Sequence, residues 1–218
     1  MTRYIGPTRG NIKREPLHVC ILSGTLGYRE KSKGPKVLQK YEGDTILSHQ
    51  TKTLLHNFPD CHICVTTGFL SDRVLRLKPH NVTIIENQFW ETTNTIEEIR
   101  LYLNSVNAKR LLIIDGPVIF SNKVLQCTEI SSIPYYYNED KQEIGVSVDN
   151  QLVEHFSYGL QYKWGEMVYL EGTNLELLRD VSQKESRQLC LFETLNVLLT
   201  RGASIYGLSL PKKEIIKP

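Results

Sequence analysis

Four short apolar runs constrain this chain more than any other feature: Leu17–Leu22 (LHVCIL), Cys61–Thr67, Val82–Glu86 and Arg110–Ile114. Each has the length of a buried strand and is too short for a buried helix. The stretches between them carry a different period. Thr45–Phe58 spaces Ile46, Leu47, Leu54 and Leu55 helically after the turn Glu42-Gly43-Asp44. Ser71–Leu77 reads as a short helix capped by Ser71, and Asn94–Val106 as a helix with Ile96, Ile99, Leu101 and Leu103 on its apolar positions. Strand, helix, strand, helix in this rhythm predicts an α/β fold, a mainly parallel sheet with helices on both faces. Ligands of such sheets bind beyond the carboxyl ends of the strands. Those ends are Ser23-Gly24-Thr25, Gly68, Glu86-Asn87 and Asp115-Gly116.

The rhythm changes after about residue 125. Ile130–Tyr137, Gln142–Val148, Leu152–Tyr158 and Lys163–Leu170 read as strands, with a hairpin turn at Asp149-Asn150. Helices follow at 173–184 and 187–201, Arg201-Gly202 closes the second, and Ile205–Leu210 is a last strand. No linker separates this β-rich extension from the first half. The expected organisation is an N-terminal arm at 1–16 and one domain at 17–218, with halves at 17–125 and 126–218.

Composition narrows the function classes. A hydrophobic content of 40% and a charged content of 23% belong to a globular chain. No apolar run reaches the ~18 residues of a membrane span, and the start MTRYIGPTRGNIKRE lacks the apolar core of a secretory signal. Lys and Arg exceed Asp and Glu by only +2, which argues against a dedicated nucleic-acid binder. The five cysteines, an odd number, read as reduced thiols in a cytoplasmic protein. A homo-oligomer is compatible with all of this.

The segment Ile21–Leu38, ILSGTLGYREKSKGPKVL, carries the chemistry. A buried strand runs into Ser23-Gly24-Thr25-Leu26-Gly27, whose glycines let backbone amides approach an anion. Arg29, Lys31, Lys33 and Lys36 follow. Free amides flanked by cations at the carboxyl end of a strand suit a polyphosphate.

This segment resembles the signature of the nucleotidyltransferases that activate sugar phosphates and phosphocholine, roughly L-A-A/G-G-x-G-x-R…P-K-x-L. Ile21–Arg29 matches its first part and Gly34-Pro35-Lys36-Val37-Leu38 its second. Tyr41–Gln50 is similar to the turn and helix that follow. Ile85–Asn94 resembles the N-x-x-(Y/W)-x-x-x-N segment of the phosphocholine cytidylyltransferase-like branch, and Leu195–Gly202 and Glu214-Ile215 resemble later elements. The resemblance implies a Rossmann-like, GT-A-like nucleotide-diphospho-sugar transferase fold with an acceptor-side extension. It implies transfer of a nucleoside monophosphate from an NTP to a small phosphorylated acceptor, with release of pyrophosphate and with Mg²⁺ as cofactor. Arg29 would hold the β- and γ-phosphates and Lys36 the charge developing at the α-phosphate. Ser23, Gly24, Thr25 and Gly27 would face the nucleotide, and Asn94 the base or acceptor. Asp115 would be left as the metal ligand and Glu166 would face the acceptor.

Departures from the pattern fall on metal and phosphate contacts. Pro117 stands where the resemblance expects the first metal aspartate, and Asp115 lies two positions earlier. Ile216 stands where the second is expected, and Thr25 replaces a loop glycine. Two further readings follow: a catalytically inactive homologue with a binding, regulatory or assembly role, and a glycosyltransferase of the same fold. The Asp-x-Asp pair common in the latter does not occur in this sequence.

Other constellations read as structural. Cys61 and Cys64, three apart in a strand, point to opposite faces. The histidines have no chelating spacing. Tyr135, Tyr136, Tyr137, Tyr158, Tyr162 and Trp164 contain the material of a cage for a choline-like cation, but alternating strand aromatics more often pack a core. The basic arm of Arg3, Arg9, Lys13 and Arg14 reads as solvated.

Overall fold

Val19 and Ile21 face one side of a sheet while Cys20 and Leu22 face the other, and all four are buried. The side-chain period of a strand turns this short run into a two-sided wall. The computed structural model describes residues 14–24, 34–138 and 142–217.

The first half contains β1 (His18–Leu22), the small hairpin of β2 (Lys40–Tyr41) and β3 (Asp44–Thr45), and α1 (Ile46–Asn57). It continues through β4 (His62–Thr67), α2 (Ser71–Leu77), β5 (Val82–Glu86), α3 (Thr95–Ser105), β6 (Arg110–Asp115) and β7 (Ile119–Phe120). The second half adds β8 (Ser132–Tyr137), β9 (Ile144–Asp149), β10 (Leu152–Tyr158), β11 (Tyr162–Trp164) and β12 (Met167–Glu171). It closes with α4 (Gly172–Lys184), α5 (Leu191–Thr200), β13 (Tyr206–Ser209) and β14 (Ile215–Ile216).

One ten-stranded sheet takes strands from both halves, in the order β11, β9, β10, β13, β8, β12, β6, β1, β4, β5. Its β6, β1, β4 and β5 are mutually parallel, and β12 joins β6 antiparallel. Helices cover both faces. Leu47 and Leu54 of α1 and Val74 of α2 pack with Val19, Ile21, Leu112 and Ile114. Ile96 and Ile99 of α3, Leu178 of α4 and Leu195 of α5 pack with Cys20, Leu22, Leu111 and Ile113. Each such side chain contributes roughly 1.5–3 kcal/mol on burial. The fold is therefore the mixed, Rossmann-like α/β architecture expected from the sequence.

Several elements differ from expectation. Ser71 is the first residue of α2 and not its cap: Leu70 precedes it at φ 52°, and no side chain caps the helix. The hairpin of β9 and β10 turns on Asn150 and Gln151, both at positive φ, one residue beyond the expected pair. The second late helix begins at Leu191, where Cys190 and Glu193 form a capping box. The strand expected over 163–170 is two strands, β11 and β12, interrupted at Gly165-Glu166. A Cβ on Gly165 would stand 2.6 Å from Ile215 Cδ1, so β14 packs tightly against the break. Among the described residues no helix is long and apolar enough to cross a membrane.

Candidate functional site

The carboxyl ends of β1 and β6 lie side by side, with Leu22 in register with Asp115. Gly116 N–H donates to the Leu22 carbonyl at 3.2 Å, and Asp115 N–H donates to the Glu166 carbonyl at 2.8 Å. Glu166, at φ 56°, occupies the break between β11 and β12. That break brings a second acidic residue beside the end of β6.

A cleft of about 500 Å³ opens over this junction, lined chiefly by Lys36, Asp115, Pro117, Glu143, Glu166 and Lys217. Lys36 arrives on a single 3₁₀ turn, Lys36–Leu38, that follows Pro35. The Gly116–Val118 wall is fixed from α1, where Gln50 Nε2 donates to the carbonyls of Gly116 at 3.2 Å and Val118 at 2.9 Å. Lys217 is carried in by β14, which pairs antiparallel with β7 through Ile215–Phe120 and Ile216–Ile119. Its ammonium ion-pairs with Glu166 and lies 3.4 Å from Glu143 Oε1.

Burial pushes the Asp115 carboxyl up to about 7, and the neighbouring Glu166 and Glu98 carboxylates push the same way against Lys217 and Lys36. A carboxyl poised near neutrality in a cleft is the kind of group that functional sites contain. It also responds to any added cation or polyanion.

The start of the expected phosphate loop is bound differently from expectation. Ser23 and Gly24 do not present their amides to the cleft. Glu98 Oε2 accepts from Ser23 N–H at 3.1 Å and from Gly24 N–H at 2.9 Å, and Ser23 N–H also lies 3.1 Å from the Thr66 carbonyl. Thr66 Oγ1 donates to the same carboxylate oxygen. The wholly buried Glu98 thus holds the end of β1 to α3 with charge-assisted bonds.

Asn94 is also occupied. It caps α3, accepting from Thr95 N–H at 2.8 Å, while its Nδ2 donates to Cys190 Sγ at 3.0 Å. Burial pushes the Cys190 thiol up to about 11, so it is a packing and hydrogen-bonding group at neutral pH. Lys36, Asp115 and Glu166 are the expected site residues that share the cleft. Thr25, Gly27 and Arg29 lie outside the described residues, as do Arg3, Arg9 and Lys13 of the arm.

Glu98 and Lys217 were not singled out from the sequence. Glu98 left a faint signal: it lies four residues before the buried Tyr102, on the same stripe of α3. Lys217 left none, because its position depends on the pairing of β14 with β7.

The tyrosine cluster does not form a cage. Lys163 Nζ sits 5.8 Å from the Tyr136 ring centroid, Tyr135 and Tyr137 pack edge-on to Tyr162, and Trp164 packs on Phe156 in the core. Cys61 precedes β4 and Cys64 is buried within it. Among the described residues, no three His, Cys, Asp or Glu side chains gather as a metal-binding group. Glu166 is committed to Lys217, and Pro117 and Ile216 carry no donors. The donor set does not fit a divalent ion held by the protein alone.

No family model and no curated protein matches the chain. Solved structures do, and they define the class of fold as that of nucleotidyltransferases. The CTP:phosphocholine cytidylyltransferase of Streptococcus pneumoniae superposes at a TM-score of 0.78 and 16% identity, over 93% of either chain. The inositol-1-phosphate CTP transferase of T. maritima superposes at 0.67 and 16% identity, over 88% of this chain and 84% of its own. A nucleoside-diphosphate-sugar pyrophosphorylase of Vibrio cholerae gives 0.68 and 14% identity, over 91% and 94%. At these identities the likeness is one of fold.

Proposed function

We propose that the chain is a nucleotidyltransferase that joins the nucleoside monophosphate of an NTP to a small phosphorylated acceptor and releases pyrophosphate. The observation carrying this reading is the convergence of Lys36, Asp115 and Glu166 on one cleft at the carboxyl ends of β1 and β6. A cation facing a carboxyl at that edge of a parallel sheet is suited to an anionic ligand.

In this reading a phosphate oxygen of the acceptor attacks the α-phosphorus, the bond to the bridging oxygen breaks, and pyrophosphate leaves with that electron pair. The protein positions the reactants and offsets charge. Lys36 faces the phosphates as a fixed cation, and the Gln50-held wall of Gly116–Val118 bounds their approach. Asp115, near the midpoint of its titration, gives or takes a proton as charge builds. Glu166 orients Lys217 toward the same space. The described residues form no complete seat for Mg²⁺. The free cysteines fit a reducing, cytoplasmic setting.

Pyrophosphate release from each NTP with a panel of phosphorylated acceptors tests the proposal. Turnover that falls in Lys36→Ala is the expected result; the absence of turnover with every pair would overturn it. The second reading, a non-catalytic homologue, is favoured by the capture of the Ser23 and Gly24 amides by Glu98. It predicts a folded protein without turnover whatever NTP is supplied.

A further inference from the structure

A second cavity, of about 430 Å³, adjoins the cleft and shares Glu143 and Lys217 with it. It lies between β8, β11 and the segment 212–217. Among the described residues four ammonium groups line it, Lys163, Lys212, Lys213 and Lys217, with one carboxylate, Glu143. Lys163 and Lys217 both pair with that carboxylate, so its charge is divided between them. Lys212 Nζ donates only to a neutral partner in this wall, Asn138 Oδ1 at 3.4 Å.

The aromatic surface in this cavity is that of Tyr136. Lys163, 6% exposed, already stands over that ring, 5.8 Å from its centroid. The π-face that would receive a quaternary ammonium therefore has a cation of the protein's own, held by the Glu143 pair. Lys217 is shared with Glu166 as well, which leaves Lys212 and Lys213 without an ion pair to a described carboxylate; a ligand cation would meet their charges unfavourably, and an anion favourably.

We infer that this cavity binds the non-reacting end of the acceptor, and that this end is anionic: a carboxylate or a second phosphate beside the reacting phosphate. The inference rests on the nucleotidyltransferase reading and adds the acceptor's charge class. The cleft takes the reacting phosphates and the lysine-lined cavity takes the second negative group, so the acceptor is a phosphorylated acid or a bisphosphate, not a phosphorylated choline-like cation.

Calorimetry on the full chain tests this, with CTP, UTP, GTP and ATP titrated first. Phosphocholine, glucose 1-phosphate, 3-phosphoglycerate and fructose 1,6-bisphosphate are then titrated with and without NTP. The last two are expected to bind at least tenfold tighter than phosphocholine and to separate a carboxylate from a phosphate preference. Lys212→Glu and Lys213→Glu, both at the surface, should each weaken them tenfold or more and leave NTP affinity within twofold. Equal or tighter binding of phosphocholine, or affinities unmoved in both variants, would overturn the inference even if NTP binds. If no NTP binds but the two anionic acceptors bind with this lysine dependence, the transferase reading falls while the cavity's charge selectivity is supported.

Discussion

Glu98 Oε2 stands 2.9 Å from the backbone nitrogen of Gly24, and a Cβ on that glycine would lie 2.9 Å from Glu98 Cδ. The end of β1 and the first turn of α3 are thus joined by a buried carboxylate that fills the space a side chain would need. Glu98→Ala leaves the Gly24 amide without its acceptor, while Ser23 N–H keeps only the Thr66 carbonyl at 3.1 Å and the Thr66 hydroxyl only the Ile21 carbonyl at 3.3 Å. It should cost about 2–4 kcal/mol of stability. Glu98→Gln, which keeps an acceptor oxygen, should cost less. Urea unfolding of the three proteins checks the order.

Asp115 gives a pH dependence with a defined sign. Its carboxyl titrates near 7 in the fold and near 3.9 in an unfolded chain. Between these values the folded state binds more protons, so this group's contribution is fully present below about pH 4 and is lost as pH rises through 7. Asp115→Asn, which cannot ionise, should exceed the wild type by about 2–4 kcal/mol at pH 8.5 and match it near pH 4. Thermal unfolding across that range reads the difference directly.

The break between β11 and β12 is made possible by a residue without a side chain. Gly165→Ala would drive a methyl group into Ile215 Cδ1 and Pro134 Cγ, at 2.6 and 3.0 Å. Either β14 moves off or the β11–β12 corner shifts, and overpacking of this kind costs about 1–3 kcal/mol. Because β14 carries Lys217, acceptor affinity should fall together with the melting temperature. A change in melting temperature alone would show that the corner, not β14, gives way.

Lys36 stands at the cleft on a short 3₁₀ turn, beyond the strands and helices of the core. Lys36→Ala should weaken NTP binding by about tenfold or more, on the order of 1.4 kcal/mol or above. Its stability should stay within ~0.5 kcal/mol of the wild type. Lys36→Arg should recover part of the binding. Titration calorimetry beside thermal unfolding separates the two effects.

The parallel half was legible because its strands are buried on both faces and its helices are periodic. The helices read as starting at Thr45 and Asn94 do start there, with those two residues as their caps. The interruption at Glu166 was hidden because Lys163–Leu170 has the composition of one strand, and Ile215, which packs against the break, lies some fifty residues away. Asp115 was legible as a strand end and Lys36 through the resemblance of Gly34–Leu38 to P-K-x-L, and both line the cleft. The role of Glu98 was not legible, since a glutamate near a helix start is ordinarily solvated. Its burial depends on β1 and β4 both ending against it. The choline cage failed on a similar point: the sequence shows where tyrosines fall but not that a lysine covers one of them.

Two ammonium groups flank Asp115, and they are brought together from distant parts of the chain, Lys36 soon after β1 and Lys217 beyond β14. The β14–β7 ladder that holds Lys217 has two residue pairs, whereas the β6–β1 ladder beneath has five. Short ladders open more easily than long ones. The floor of the cleft is therefore fixed by the central strands, while the wall that carries Lys217 rests on one short ribbon.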